Sequence, residues 1–381
     1  MQEQSKAEQV KDDPQLLELM VQDTGSASDL YKPTNYWLNY ERKFLPELRS
    51  LGLRNFRRRK KSVLNSFGGA DLLPTSRYYS PLRVRKPGFI RRLGARIILL
   101  LATQLLKAKT NEKLLTYVST LVSGVELQDV RLLCYEFAKC YGERNGAKSI
   151  REFEASTVGN PEDVFSIDGK IYTTSMLYYY IQYAYCCQYM DFNSIDTMME
   201  IGSGSGKQIE VIKKLHPDIC FYVFEIPPQL YVGEQYLSAL FPDSVVSYTK
   251  TRTMKGIPGQ HKGKIFIFGN WKLPELMNLN YDLFWNSASF QEMEPDVVLN
   301  YLKYVNQQTN RYVFLHELME GQGLATKKGE PGVIEQTTLE HYRKGLKDFQ
   351  LQDLSRSIFL PRIATPHSYS YSFWKRSCEN R

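Results

Sequence analysis

No two of the six cysteines (Cys134, Cys140, Cys186, Cys187, Cys220 and Cys378) stand in a C-x-x-C pair or in the spacing of a secreted disulfide framework. With no cleavable leader ahead of them, a reducing, cytoplasmic setting is the simplest expectation. Long apolar runs are also missing. The best candidate, "IILLLATQLL" at 97–106, is far below the ~20 residues needed to span a bilayer and is flanked by Arg96 and Lys107, so a buried helix is expected there. No internal repeat or low-complexity tract is present, which argues against solenoid and fibrous architectures. Acidic residues are nearly absent from Arg54–Lys109, where Asp71 stands alone against fifteen Lys and Arg.

That last absence shapes the charge of the whole chain. The segment carries +14 while the 381-residue protein carries only +8, so the remainder is net −6. With "RRRKK" at 57–61 and aromatics at Phe56, Phe67, Tyr78 and Tyr79, the block suits a phosphate-bearing partner: a nucleic acid, an anionic membrane surface or a diphosphate-linked substrate. A solvated face paired with acids elsewhere is the competing expectation. A content of 43 % hydrophobic residues, 13 % aromatic, is enough to fill a sizeable core.

Periodicity divides the chain into three. Residues 1–30 are polar without a sustained apolar period and are expected to be a flexible tail. Residues 31–155 are expected to be mostly helical: Tyr36, Trp37, Tyr40, Phe44, Leu45 and Leu48 recur at helical spacing between Asn35 and Leu51. Helical runs resume at 90–106, 114–124 and 129–142, with Gly124 and Gly142 as stops. Residues 156–381 alternate. Strands are expected at 197–201, 220–226, 245–248, 264–268, 281–286 and 311–318, with helices at 207–217, 229–240 and about 295–307. Such alternation implies βαβ units and a mostly parallel sheet. "SYSYSFWK" at 368–375 suits a late antiparallel strand. In "YTTSMLYYYIQYAYCCQYM" (172–190), Tyr178, Ile181, Tyr185 and Tyr189 share one helical face, which fits packing on the sheet better than a ligand platform.

"EIGSGSGKQ" at 200–208 closes the first strand of that sheet and opens the first helix, where open α/β sheets bind ligands. A dinucleotide fingerprint G-x-G-x-x-G would need a third glycine at Lys207, but it comes one residue early at Gly206. The acid-x-Gly-x-Gly-x-Gly pattern of Glu200, Gly202, Gly204 and Gly206 instead resembles the first motif of class I S-adenosylmethionine-dependent methyltransferases. The resemblance implies that the glycines, with Ser203 between them, leave room for the amino-acid end of the cofactor, with Glu200 close by. Glu225, 23 residues after Gly202 at the end of the second strand, fits the carboxylate that accepts the ribose hydroxyls.

Further along, "YDLFWNSASFQEME" (281–294), together with "YWLNYERKFLPELRSLGLRNFRRRKKSVLNSFGG" upstream, looks like the sugar O-methyltransferase family over most of the chain from Tyr31. The family implies a Rossmann-like class I methyltransferase domain, mostly parallel with a late antiparallel strand, preceded by a helical N-terminal region. It also implies transfer of a methyl group from S-adenosylmethionine to a hydroxyl of a sugar or glycoconjugate. Such transfer needs a base to take the hydroxyl proton. Glu292 and His316, near the ends of the fourth and fifth strands, are the candidate catalytic residues. Asn286 is placed at the methionine end of the cofactor, and Ser289, Gln291 and Glu317 at the substrate. Glu292 as a carboxylate serving its own helical turn, and His316 as a buried structural histidine, are the plainer alternatives. Glu292 and Glu317 could hold Mg²⁺ between them, yet no ligand spacing asks for a metal, and none is expected. An RNA or DNA methyltransferase, or a non-catalytic nucleotide- or partner-binding module, are the competing functions. No N-P-P-Y-like sequence follows the fourth strand, which disfavours base methylation.

Overall fold

The computed structural model describes residues 10–58, 127–161, 164–257, 259, 261–357 and 369–377. The helices expected at 90–106 and 114–124, and nearly all of the basic segment, lie outside them.

Where a flexible tail is expected, Pro14–Gly25 forms helix α1. Pro14 sits in the first turn, where its missing N–H is no loss, and the Asp13 carboxylate accepts the Leu16 N–H at 3.0 Å. Leu16, Leu17 and Met20 bury one face of the helix. A bidentate pair of Asp23 with Arg252, both bonds 2.8 Å, fastens its end. Helix α2 (Asn35–Leu51) buries Phe44, Leu45 and Leu48, as the spacing predicts. Helix α3 (Leu127–Arg144) runs through Gly142 instead of stopping there. A Cβ on Gly142 would stand 2.1 Å from the Tyr180 hydroxyl, so this glycine serves close helix packing, not termination.

A hairpin, β1 (Val164–Ile167) and β2 (Lys170–Thr173), leads into α4 (Thr174–Cys186), the tyrosine-rich helix, which is almost wholly buried. Then follow β3 (Thr197–Ile201), α5 (Lys207–Leu215), β4 (Cys220–Glu225), α6 (Gln229–Leu240), β5 (Val245–Val246), α7 (Tyr248–Thr251), β6 (Ile265–Gly269) and β7 (Tyr281–Ser287). The chain closes with α8 (Pro295–Gln308), β8 (Thr309–Glu317), α9 (Leu339–Gly345), β9 (Phe349–Arg356) and β10 (Ser370–Arg376).

The main sheet has the order β5-β6-β4-β3-β7-β8-β10-β9. Strands β5 to β8 are parallel, and β10 inserts antiparallel between β8 and β9. Both faces are covered. Met198, Phe221 and Val223 belong to one apolar layer with α4, α5 and α6, while Met199, Ile201 and Phe224 belong to another with α8 and α9. Burial on both sides explains why β3 and β4 read as continuous apolar runs rather than alternating ones. The strand order reverses between β3 and β7, and a Rossmann-like sheet forms its ligand crevice at that switch point. Among the described residues, no helix is long and apolar enough to cross a membrane.

Candidate active site

The carboxyl ends of β4, β3, β7 and β8 lie side by side and bring most of the expected site residues together. The chain leaves β3 through Gly202, Gly204 and Gly206, all in the left-handed region (φ 73°, 57° and 78°), a backbone path that other residues rarely take. The Gly202 N–H donates to the Phe224 carbonyl at 2.9 Å, and the Gly206 N–H to that of Ser203 at 3.0 Å. A side chain at Gly202 has no room, because its Cβ would fall 2.0 Å from the Ser289 hydroxyl.

Glu225 reaches across from β4. Its two oxygens accept the N–H of Gly204 at 2.7 Å and of Ile226 at 2.9 Å, which leaves lone pairs for a diol. Glu200 lies beneath the loop at 2 % exposure, and its Oε2 is buried with no hydrogen-bond partner. Burial, followed by the charge of Glu225, pushes the Glu200 carboxyl up to about 8. Burial lifts Glu225 to about 7 against the pull of its two backbone donors. Two carboxyls held this way in a low dielectric favour a cationic ligand, which would restore both to the ionised form.

Across the switch point, Asn286 spans the crevice: its amide donates to the Ile201 carbonyl at 2.8 Å, and its oxygen accepts the Phe290 N–H at 3.2 Å. Glu317, fully buried at the end of β8, accepts the N–H groups of Ser289 (3.3 Å) and Gln291 (3.0 Å). Burial nevertheless holds it up at about 8. Gln291 is fully buried too, taking the Leu318 N–H on its oxygen at 2.5 Å and donating to the Tyr369 hydroxyl at 2.9 Å. Gln291 and Glu317 therefore brace the turn after β7 from buried positions, unlike the open substrate contacts expected of them. Ser289 is buried against the glycine loop.

The two catalytic candidates differ. His316 has no exposure: Tyr178 hydroxyl lies 3.2 Å from Nδ1, the Ser287 hydroxyl lies 3.0 Å from the same nitrogen, and Tyr369 stacks on the ring at 4.9 Å. Its surroundings are those of the buried structural histidine. Glu292 is only partly covered. Its carbonyl accepts the Thr34 hydroxyl at 3.0 Å, and the Tyr36 and Trp37 side chains stand beside its carboxyl. Burial, then the charge of Glu317, raises that carboxyl well above the usual carboxylate range, while the two aromatic donors pull it down.

Two features of the site were not expected from the sequence. Gly233, inside α6, allows the helix to approach the loop: a Cβ there would be 3.0 Å from the Gly204 carbonyl. A lone glycine in a helical run is the signal that marks it. The other is the first turn of α2, which faces Glu292. Arg57, from the basic block, is a further correction. It is fully buried, donates to the Ser156 carbonyl at 2.6 Å and lies over the Tyr236 ring at 5.7 Å, so its charge serves the fold and not a phosphate partner. A cavity of about 420 Å³ lined by Lys148, Tyr183, Cys187 and His216 opens beside the start of β3, away from the glycine loop.

No family profile matches the sequence, and no curated protein does. Solved structures similar to it include magnesium protoporphyrin IX methyltransferase from Synechocystis PCC 6803 with bound SAH (13 % identity over 47 % of this chain and 73 % of that one, TM-score 0.31). They also include the pyocyanin biosynthetic protein PhzM (14 %, 54 % and 58 %, TM-score 0.34). A third is a SAM-dependent methyltransferase from Methanosarcina mazei (16 %, 50 % and 96 %, TM-score 0.34).

Proposed function

We propose that the protein is an S-adenosylmethionine-dependent O-methyltransferase acting on a hydroxyl of a sugar or glycoconjugate. The observation that carries the cofactor assignment is Glu200 Oε2, a buried carboxylate oxygen without a partner under a three-glycine turn. An anion-binding loop would not place an uncompensated acid there, whereas a ligand bearing a sulfonium and an ammonium suits it. Glu225 would hold the ribose hydroxyls, Gly202, Ser203 and Gly204 would admit the amino-acid end, and Asn286 fixes the floor between β3 and β7. The bound cofactor supplies an electrophilic methyl group.

The chain's own contribution to the reaction is proton removal and positioning. Glu292 accepts the proton that leaves the acceptor hydroxyl as the new C–O bond forms. The Thr34 hydroxyl, bonded to its carbonyl, holds that turn in place. The choice of a sugar rests on the resemblance of residues 281–294 and of the N-terminal segment to sugar O-methyltransferases. The basic block beyond Arg57 would draw a phosphate-bearing acceptor or lie against an anionic membrane surface. Nucleic acid is the second reading, favoured only by that block.

The test is transfer of label from S-adenosyl-[methyl-³H]methionine by the full chain to methyl pyranosides, nucleotide sugars, tRNA and single-stranded DNA. Label on a pyranoside or nucleotide sugar is expected. Label on the nucleic acids alone, or on nothing, contradicts the proposal.

A further inference from the structure

Helix α2 presents an apolar stripe that is buried at one end and half-buried at the other, and an amide edge beside it. Phe44, Leu45 and Leu48 enter the core. Asn35 and Asn39, one turn apart, pin the helix to the loop after β8: the Asn35 amide donates to the carbonyls of Glu330 (3.0 Å) and Gly332 (2.8 Å), and Asn39 donates to that of Glu330 (2.9 Å). Toward the helix N-terminus the same stripe continues, at i, i+3 and i+4 spacing, through Tyr40, Trp37 and Tyr36, all half-buried. Their rings form one cluster, with centroids 5.0 Å apart for Tyr36 and Tyr40, 6.1 Å for Tyr36 and Trp37, and 6.2 Å for Trp37 and Tyr40. Tyr40 stacks at 5.8 Å and 4° on Phe44, which is 1 % exposed, so the cluster is anchored in the core.

We infer that this aromatic cluster, with Glu292 at its edge, is the acceptor subsite and receives the C–H face of a pyranose ring. The inference deepens the proposed function and rests on it. Three large rings left half-buried beside a carboxyl make a surface that is apolar on its face and polar at its rim. A pyranose has the complementary form, with axial C–H groups on one face and hydroxyls around the edge. With its ring on the aromatics, an edge hydroxyl can reach Glu292, the group assigned to take its proton. The anchoring matters because a wall fixed by Phe44, Asn35 and Asn39 needs no ordering when the sugar arrives. A phenolic acceptor would also stack, but it would present one in-plane hydroxyl and gain nothing from a wide polar rim.

The experiment uses the full chain saturated with S-adenosylhomocysteine and the methyl α- and β-pyranosides of glucose, galactose, mannose and rhamnose as probes. Binding is read by saturation-transfer NMR, and KM by initial rates with S-adenosylmethionine. Trp37→Ala and Tyr40→Ala should raise the dissociation constant and KM of the preferred pyranoside roughly three- to ten-fold, the worth of one aromatic contact. Affinity for S-adenosylhomocysteine should stay within about two-fold of the wild type, because no cofactor contact is removed. Trp37→Phe, which keeps a ring, should recover most of the loss, and Tyr40→Leu, which keeps bulk without the ring face, should not. The Phe and Leu variants also keep the test decisive if either alanine variant fails to fold. Unchanged pyranoside KM in Trp37→Ala and Tyr40→Leu overturns the subsite while leaving the methyltransferase reading intact, as does saturation of phenols with no pyranoside bound. Failure of the wild type to bind S-adenosylhomocysteine overturns both.

Discussion

Replacing Gly202 by Ala probes the glycine loop at its tightest point. The new Cβ would lie 2.0 Å from the Ser289 hydroxyl oxygen and 2.5 Å from Ser289 Cβ, against ~3.5–4 Å for comfortable carbon contacts. Rotating the hydroxyl relieves the first overlap but not the second, since Cβ is fixed to a backbone that Glu317 holds through the N–H groups of Ser289 and Gln291. The left-handed φ of 73° adds its own cost, ~1–2 kcal/mol for a residue with a Cβ. With ~1–3 kcal/mol for the overpacking, Gly202→Ala should cost about 2–5 kcal/mol. Ser289→Gly removes both clashing atoms. The double variant should therefore regain the overpacking share, a coupling of ~1–3 kcal/mol, and keep the backbone share. Urea unfolding of the four proteins, followed by intrinsic fluorescence, measures the cycle. A single variant within ~0.5 kcal/mol of the wild type, or strictly additive effects, would refute the geometry.

Two further outcomes follow from the buried carboxyls. Glu200, Glu225 and Glu317 bind protons more tightly in the folded chain (about 8, 7 and 8) than at the ordinary value of 4.5, so their stabilising contribution is complete below pH ~4.5 and is lost as pH rises toward 8. The thermal midpoint of the ligand-free protein should fall from pH 5.5 to 8, less steeply in Glu200→Gln; a wild-type midpoint that rises, or a variant as steep as wild type, contradicts this. Glu292→Gln should lower single-turnover methyl transfer by ~10²–10⁴ and remove the acidic limb of the pH profile. His316→Asn should instead cost stability with turnover of the folded fraction kept. Wild-type rates in Glu292→Gln would exclude it as the base.

How far the sequence foretold the molecule depends on the kind of signal. The strands at 197–201, 220–226 and 281–286 were legible because burial on both faces makes them continuous apolar runs, and α2 because its apolar residues recur every three to four positions. Gly202, Gly204 and Gly206 stood out because alternate glycines mark an unusual backbone. Helix α1 was not legible: its apolar stripe spans little more than one turn, and what fixes it is Tyr231 and Arg252, over 200 residues away. The same holds for Gln291 and Glu317, whose partners, backbone N–H groups and the Tyr369 hydroxyl, come close only in the folded sheet, and for Arg57, which reads as one more cation in a basic run until Tyr236 covers it. Tyr36 and Trp37 were visible as helical periodicity. Their approach to Glu292 depends on how α2 docks, which local pattern does not encode.

The proposed cofactor site is the crevice at the β3–β7 switch point, with Glu225 and the glycine loop as its contacts. Calorimetric titration of the full chain with S-adenosylhomocysteine, beside Glu225→Gln of matched thermal stability, tests it most directly. Saturable binding at one site per chain is expected, weakened roughly ten-fold or more in the variant by loss of the charged acceptor for the ribose hydroxyls. No heat of binding to the folded wild type, or equal affinity in the two proteins, would contradict it.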